Sequence, residues 1–298
     1  MTPANVGLSI ALPSSLGFLK REYGVSYGYG GSIALVGLLA YKASTNKLAL
    51  LSAPSLRVAL SSGVAGLLQW ARALSTAQAL SLMHIIYGVR LCLFLSYREL
   101  KIPRFREMRE KIEEQAPRGG RLARAPFILQ CGLLYLWMSC PLFVLATLPA
   151  EKFLSPLASV TAAATSASLQ GFCSAIVPLL LSVAGLGLAL QIVGDTHKLL
   201  AKRADPDRLV TSGLFRFLRH PNYTGEHVLW GASSLAGISA VFGAPDATAV
   251  MSTSVRWALL AGCLLGYVGI GFVLTMAATG LEKRQAMKYS RDPSYAAW

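Results

Sequence analysis

Long apolar stretches alternate with short polar ones along the 298-residue chain, and this alternation predicts its main elements. A helix of about 20 apolar residues is long enough to cross the hydrocarbon core of a bilayer. The pattern therefore predicts an all-α, polytopic bundle of about seven transmembrane helices in a single domain. The first and sixth stretches are short, so a tilted or re-entrant helix is the alternative for these two. The seven stretches cover residues 26–41, 48–70, 74–97, 126–148, 169–194, 225–243 and 255–280.

Two segments between these stretches have distinct compositions. Residues 98–115 are helical in composition, alternate in charge and carry apolar side chains at Phe105, Met108 and Ile112. These features predict a helix that lies on the membrane surface. Residues 150–168 are rich in Ser, Thr and Ala, and we interpret them as a loop on the opposite side of the membrane.

The composition indicates a membrane protein rather than a soluble one. Hydrophobic residues make up 54% of the chain, charged residues make up only 14%, and the mean hydropathy is +0.50. Soluble domains carry about 25% charged residues. The five cysteines all lie in apolar stretches, without a CxxC pair or a histidine at metal-binding spacing. They are predicted to be packed thiols, and no metal site is expected.

The positive charge is concentrated in segments on one side of the predicted membrane. The net charge is +14, and the basic segments at 98–124, 198–219 and 282–298 are separated from one another by two predicted helices each. All three therefore fall on the same side, which the positive-inside rule makes the cytosol, or the stroma or matrix of an organelle. Because the basic residues flank membrane spans, nucleic-acid binding is not needed to explain the charge.

A dense polar block, residues 219–226, interrupts the apolar sequence. Ionisable groups at membrane depth are expensive and usually serve a functional site. Pro221 predicts the start of a helix, because it has no N–H to lose and its φ is already helical. Asn222 and Glu226 then lie four residues apart on one helix face, with Tyr223 three residues before Glu226. We interpret the block as one wall of a pocket for a large polar cofactor.

Positive groups beside this block predict an anion site. Arg219 and His220 lie just before the predicted helix N-terminus, where free N–H groups and the helix dipole favour an anion. Arg208 lies in the preceding loop, and its planar guanidinium suits a phosphate. Gly225 has no side chain, which we interpret as room for a ligand to approach the backbone.

Polar residues on the other predicted helices have two interpretations each. Gln191 and Asp195 lie four apart at the end of the fifth helix, where Asp195 either faces the pocket or is solvated. Arg90 lies inside an apolar stretch, so it either has a buried partner or extends to the interface. Glu282 and Arg284 follow the last helix and either fold over the cofactor or belong to a solvated tail.

The string DRLVTSGLFRFLRHPNYTGE at 207–226 resembles the signature of the DUF1295 membrane proteins, which are related to the C-terminal domain of steroid 5-alpha-reductases. Three further stretches resemble the same family, namely 87–111, 130–141 and 281–298. The resemblance divides the single domain into variable N-terminal helices at 1–80 and a reductase-like region at 81–298. The His-Pro core of the string also recurs in isoprenylcysteine and phospholipid methyltransferases.

The resemblance implies a bundle that encloses NADPH from the cytosolic side and reduces a carbon–carbon double bond next to a carbonyl. By motif, Asn222 and Glu226 would hold the nicotinamide amide and ribose. Gln191 and Asp195 would line the cofactor cavity. By the same resemblance, Arg208, Arg219 and Arg284 would contact the phosphates. Tyr223 and His220 would pack around them.

The candidate residues for substrate activation depart from the family pattern. The reductases place a Glu and a Tyr in the early helices to polarise the substrate carbonyl, and Tyr87 is the candidate donor here. No acidic residue lies between Glu22 and Glu99, so the acid is missing from the second and third helices. The chain also ends at Trp298, before the family's basic tail usually ends, and we expect a shortened protein or an incomplete sequence.

Three functions are open from the sequence. The first is an NADPH-dependent membrane oxidoreductase that reduces a C=C bond of a sterol-like, isoprenoid or fatty enone. The second is a non-catalytic subunit of a larger membrane complex. The third is an S-adenosylmethionine-dependent methyltransferase of a lipid or prenyl thiol, although those proteins usually follow the glycine with an aromatic residue rather than with an acid such as Glu226. The expected partners are a lipophilic small molecule and membrane lipids, in the endoplasmic reticulum, a plastid or a mitochondrion.

Overall fold

The computed structural model describes residues 1–45, 61–63, 66, 74–114, 120–147, 156–243, 251–292, 295 and 298. Within these residues, every regular element is helical. The α-helices are α1 Pro3–Ser14, α2 Arg21–Val25, α3 Tyr27–Thr45, α4 Thr76–Lys101, α5 Pro103–Glu114, α6 Ala125–Met138, α7 Cys140–Thr147, α8 Pro156–Thr165, α9 Leu169–Ala204, α10 Pro221–Gly243 and α11 Thr253–Tyr289. Short 3-10 turns occupy Ser15–Phe18, Arg121–Arg124 and Gly213–Arg216.

Four of the seven apolar stretches form helical segments of membrane-spanning length and composition in the described part of the chain. Within the described residues, four helical segments are long and apolar enough to cross a bilayer, and they are Thr76–Lys101, Arg121–Thr147, Leu169–Arg203 and Thr253–Tyr289. The first and sixth predicted stretches coincide with α3 and α10, which have 19 and 23 residues. The stretch predicted at 48–70 lies largely outside the described residues. The protein is an all-helical membrane protein.

The helix predicted at 98–115 is confirmed as a helix over Pro103–Glu114, but it begins later than predicted because residues 98–101 still belong to α4. α4 continues to Lys101, Ile102 is extended with φ −120° and ψ 101°, and α5 begins at Pro103. The residue before a proline is disfavoured in the helical region because the proline ring clashes with its backbone. The proline therefore ends the apolar helix at the point where the charged helix begins.

The apolar residues of α5 have different surroundings. Phe105 is buried in the protein, whereas Met108 and Ile112 are exposed on its surface, which is compatible with the predicted contact with a membrane. Arg109, in contrast, is only 1% exposed. Alternating charge is typical of a solvated helix, so the sequence pattern concealed a buried cation.

Arg109 lies among acidic and aromatic side chains from four helices. Its Nη1 donates to Glu99 Oε2 at 2.8 Å, and its Nε lies 3.4 Å from Glu22 Oε1. The hydroxyls of Tyr23 and Tyr27 donate to the two oxygens of Glu99 at 2.6 and 2.8 Å. Burial raises the pKa of Tyr23 to about 12, and its hydrogen bond to Glu99 acts in the same direction. The cluster joins α2 and α3 to the boundary between α4 and α5.

The segment predicted as a loop at 150–168 contains the helix α8, Pro156–Thr165. Proline at the first helical position and several alanines both favour a helix. α8 packs against α9. The Ser and Thr content suggested a loop, but the alanines and this packing determine the local structure.

α9 and α10 pack closely because glycines line their contact. A Cβ added at Gly225 would lie 2.5 Å from both Gln191 N and Gly187 O, and one at Gly194 would lie 2.9 Å from the backbone of α10. Small residues let membrane helices approach in this way. Gly225 therefore admits the backbone of α9, which corrects the interpretation that it admits a ligand. The same contact places Gln191 beside Glu226.

Candidate functional site

Tyr87 of α4 and Glu226 of α10 form a hydrogen bond inside the bundle. Tyr87 Oη donates to Glu226 Oε2 at 2.8 Å. α10 begins at Pro221, as the sequence predicts, and this start places Glu226 in the second helical turn. Sequence reasoning found no acid for Tyr87 in the early helices, and the structure brings one from a helix much later in the chain. The candidate catalytic residue and a candidate cofactor ligand are therefore neighbours.

Side chains from α9 extend this pair into a polar chain. Gln191 Nε2 lies 3.3 Å from Glu226 Oε1 and 3.4 Å from Asp195 Oδ2. Asp195 also forms an ion pair with Arg90 of α4. Of the two interpretations of Arg90, the buried partner is therefore correct, and Asp195 is not simply a solvated helix end. Three helices contribute to one continuous polar chain.

Three polar atoms along this chain have no hydrogen-bond partner among the described residues. They are Gln191 Oε1, Asn222 Oδ1 and Arg90 Nη1, and all three are buried. The side chain of Asn222 contacts Asp195. Buried polar atoms in native proteins are almost always hydrogen-bonded. Two acceptors and one donor without partners thus mark this place as a binding site for a polar group or for water.

A second cluster forms where α10 begins. His220 Nε2 lies 2.7 Å from Glu282 Oε1, and Arg219 Nη1 donates to Glu282 Oε2 at 3.0 Å. The ring of Tyr223 contacts that of His220 edge-on, with 5.8 Å between their centroids. Glu282 lies on α11 itself, so the prediction that it follows the last helix is wrong, and it contacts the polar block because α11 continues to Tyr289.

Burial lowers the pKa of His220, and the hydrogen bond with Glu282 opposes this shift. The neutral imidazole is therefore favoured relative to a solvated histidine. When its Nε2–H donates to Glu282, the other ring nitrogen is an acceptor. That atom, Nδ1, is buried and has no partner among the described residues.

A small depression lies where the ends of α9 and α11 meet the loop between α9 and α10. Basic and aromatic side chains dominate its walls, and they include Lys198, Lys202, Arg208, Phe215, Tyr289 and Trp298. Lys202 Nζ donates to the carbonyl oxygens of Pro206 and Arg208 at 3.2 and 3.0 Å, so it also shapes the loop. The concentration of positive charge makes this depression suited to an anion.

The three arginines predicted to contact phosphates have different surroundings. Arg208 lines the depression. Arg284 lies within electrostatic range of Lys198, another lining residue. Arg219 is paired with Glu282, and its guanidinium lies 5.0 Å from the ring centroid of Trp298. Arg208 and Arg284 are therefore near the depression, and Arg219 belongs to the cluster at the start of α10.

Asp207 is a charged junction that sequence reasoning missed. Its carboxylate accepts hydrogen bonds from Arg104 Nη1 at 3.0 Å and from Lys288 Nζ at 2.5 Å. The main-chain carbonyl oxygen of Asp207 accepts a further hydrogen bond from Tyr289 Oη at 2.9 Å. These partners lower the pKa of the carboxyl to about 2, with the hydrogen bond from Lys288 as the largest cause. They lie 81 to 103 positions away in sequence, so no local pattern signals the junction.

The cysteines and possible metal ligands add no further site. All five cysteines are free thiols, four of them buried and Cys92 partly buried. Within the described part of the chain, no three His, Cys, Asp or Glu side chains lie close enough to hold a metal ion.

These features define an all-helical membrane protein with a polar chain inside the bundle and a basic depression at one end of it. The chain belongs to the DUF1295 family, whose members are described as proteins of unknown function. The sequence model of that family matches residues 53–298, which include the polar block. Comparisons with curated proteins and with solved structures found no match to the chain.

Proposed function

We propose that the protein is an NADPH-dependent membrane oxidoreductase that reduces a C=C bond of a lipophilic enone. The bundle would have about seven spans, with the cofactor cavity open to the cytosolic, stromal or matrix side. The observation that carries this proposal is the polar chain that joins Tyr87, Glu226, Gln191 and Asp195, together with the unpartnered atoms beside it.

The unpartnered atoms fit the carboxamide of a nicotinamide ring. A carboxamide has an NH2 group that donates hydrogen bonds and a carbonyl oxygen that accepts them. Gln191 Oε1 and Asn222 Oδ1 are acceptors without partners, and Arg90 Nη1 is a donor without one. The two kinds of atom therefore complement both ends of the carboxamide. This match supports a cofactor role for Gln191 and Asn222, and Glu226 would hold the Gln191 amide in place beside them.

The basic depression fits the phosphates of the same cofactor. Lys198, which lines it, follows Asp195 by one helical turn of α9, so the depression adjoins the polar chain. Lys202 and Arg208 add two further positive groups. Charge-assisted hydrogen bonds from Lys and Arg are strong contacts to phosphate oxygens. A dinucleotide would thus extend from the bundle interior to this end of α9.

Reduced nicotinamide, when bound, supplies a hydride, and the side chains have to orient the substrate and supply a proton. Tyr87 carries that proton on Oη, and Glu226 holds the hydroxyl in one orientation. To act as a general acid, Tyr87 would turn this proton from Glu226 to a substrate atom within hydrogen-bond distance of Oη. The chain thus supplies a donor although no acidic residue lies between Glu22 and Glu99.

Nucleotide binding tests this function directly. Native mass spectrometry of the detergent-purified protein should show a mass shift that matches NADP(H). Titration with NADPH should then show about tenfold weaker binding for Glu226→Gln, because a hydrogen bond to a charged group is lost. Glu107→Gln is the matched control, since Glu107 is exposed on α5. If Glu226→Gln binds NADPH as tightly as the wild type, Glu226 does not belong to the cofactor site.

The same spectra separate the alternatives. Bound S-adenosylmethionine or its demethylated product would assign the protein to the methyltransferases. Protein that is folded, carries no nucleotide and does not bind added NADPH would contradict the reductase and favour a structural subunit of a membrane complex.

A further inference from the structure

Two polar rings meet between α10 and α11, on a side of α10 that the polar chain does not use. His227 lies against Tyr267 of α11, with 6.5 Å between the ring centroids and the rings nearly perpendicular. His227 directly follows Glu226 in sequence, but Glu226 contacts α4 and α9 instead. A Cβ on Gly231 would lie 3.2 Å from the ring of Tyr267. A Cβ on Gly271 would lie 3.7 Å from the ring of His227, so each ring covers a glycine of the opposite helix. We call the contact of His227, Gly231, Tyr267 and Gly271 the α10–α11 seam.

The seam lies at the depth of the membrane interior. Tyr267 is 11 residues after Arg256 and 15 residues before Glu282, and no charged residue of α11 lies between these two. At 1.5 Å per residue, the two charged positions are about 17 and 22 Å away along the helix. The hydrocarbon core of a bilayer is about 30 Å thick. A span with these charged residues at its two surfaces therefore holds Tyr267 near the middle of the core.

The seam is open on the outer side of the protein. Tyr267 is 36% exposed, and its neighbours Val268 and Phe272 are 56% and 66% exposed. His227 is partly exposed, and its ring nitrogens are not enclosed by protein atoms. Among the residues that the structure describes, neither His227 nor Tyr267 makes a hydrogen bond.

The polar atoms of these two rings are not explained by packing. Leucine and phenylalanine would cover the same glycines without bringing a polar atom into the hydrocarbon. Water is absent from the bilayer core, and polar groups there are costly and usually serve a functional site. The seam thus requires a hydrogen-bonding partner that is dissolved in the membrane.

The hydrogen-bonding capacity of the two rings selects the chemistry of that partner. A neutral imidazole has one donor and one acceptor nitrogen, and a tyrosine hydroxyl both donates and accepts. A hydroxyl group complements both, because it donates to a nitrogen of His227 while it accepts from Tyr267 Oη. A ketone oxygen only accepts, and an ionised head group would have to leave water to reach this depth.

We propose that the α10–α11 seam binds a lipophilic alcohol from the bilayer, with its hydroxyl group bonded to His227 and Tyr267. Val268 and Phe272 would supply apolar contacts for the hydrocarbon part of the ligand. The site is separate from the polar chain, because Glu226 and His227 contact different helices. The inference goes beyond the proposed oxidoreductase activity and does not depend on it.

Histidine NMR tests the inference in the full-length protein, in nanodiscs of dioleoylphosphatidylcholine. The chain contains only four histidines, so selective 15N labelling of their rings gives few signals. The probe is geranylgeraniol, and the control is its methyl ether, which retains the oxygen but cannot donate a hydrogen bond. Geranylgeraniol should shift the ring signals of one histidine, and His227→Leu should remove that signal. The ether should bind about fivefold more weakly, because one hydrogen bond is lost.

Tyr267→Phe separates binding of the alcohol from a structural role. It should weaken the binding of geranylgeraniol about fivefold, because Oη is one of the two groups that hold the hydroxyl. It should leave the midpoint of thermal unfolding unchanged, because Oη has no partner among the described residues. Tyr97→Phe on α4 is the matched control and should bind the alcohol as the wild type does.

Three results would overturn the inference. The first is a His227 signal that geranylgeraniol does not move. The second is equal affinity for the alcohol and the ether, or equal affinity of Tyr267→Phe and the wild type for the alcohol. The third is a lower unfolding midpoint in Tyr267→Phe, since the hydroxyl would then have a structural partner. None of these measurements involves NADPH, so their outcome is distinct from that of the proposed function.

Discussion

The hydroxyl of Tyr87 donates to the carboxylate of Glu226 across 2.8 Å, although 139 positions separate the two residues. Arg90, one helical turn after Tyr87, forms an ion pair with Asp195 of α9. One face of α4 is therefore connected by polar contacts to both α9 and α10. Since these contacts adjoin the atoms proposed to hold the cofactor, the positions of the three helices determine the geometry of the site.

Tyr87→Phe should destabilise the protein and abolish the proposed activity. Glu226 Oε2 would lose its donor in the bundle interior, and an unsatisfied buried group costs about 1 to 3 kcal/mol. The free energy of unfolding in detergent, measured by titration with SDS, reports this loss. Tyr97→Phe on the same helix is the control and should have little effect. Equal stability of the two variants would mean that the Tyr87–Glu226 bond does not contribute to folding.

Gly225→Ala should separate α9 from α10. The added Cβ would lie 2.5 Å from backbone atoms of α9, so we expect a loss of about 1 to 3 kcal/mol in the free energy of unfolding. Gly280→Ala in α11 is the matched control, because its Cβ would meet nothing within 4 Å. That control should gain about 0.5 to 1 kcal/mol from helix propensity. A neutral Gly225→Ala would show that the two helices are farther apart in the membrane.

Arg109→Met should cost about 3 to 5 kcal/mol in the free energy of unfolding, because Glu99 and Glu22 lose their buried counter-charge. Arg106→Met, on the exposed face of the same helix, should change stability by no more than about 0.5 kcal/mol. Adding Glu99→Gln to Arg109→Met should restore part of the loss. If the double variant is no more stable than Arg109→Met, unpaired charge does not cause the defect.

His220 should make stability depend on pH in the weakly acidic range. Its pKa lies below the ordinary 6.5 in the folded protein, so below about pH 6.5 the unfolded chain binds the proton more readily. The stabilisation by the buried neutral ring is present above that pH and decreases as the pH falls toward the folded-state pKa. Thermal unfolding between pH 8 and 5 should therefore show a smaller loss of stability in His220→Gln than in the wild type. An equal loss in both would exclude His220 as the titrating group.

The helices and the polar block were predictable because their signals are local. Pro221 begins α10. The four-residue spacing on α9 places Gln191 next to Asp195, and the spacing on α10 places Glu226 on the face that contacts Gln191. These features depend only on helical periodicity and on the φ of proline. The sequence also carries the signature of its family, and the match to the DUF1295 model confirms that prediction.

The missed features depend on contacts between distant parts of the chain. The pairing of Tyr87 with Glu226 requires α4 and α10 to be neighbours, which no local pattern encodes. Arg109 was misjudged because alternating charges usually indicate a solvated helix, whereas here one of these charges is buried.

The junction at Asp207 has a consequence for how an anion would meet the basic depression. Arg104 holds Asp207 from the start of α5, and Lys288 and Tyr289 hold it from the end of α11. Arg208, the next residue, therefore lies in a segment that is held by contacts with both α5 and α11. The positive groups would thus be in position before a nucleotide binds. Differences in nucleotide affinity would then arise mainly from the dissociation rate.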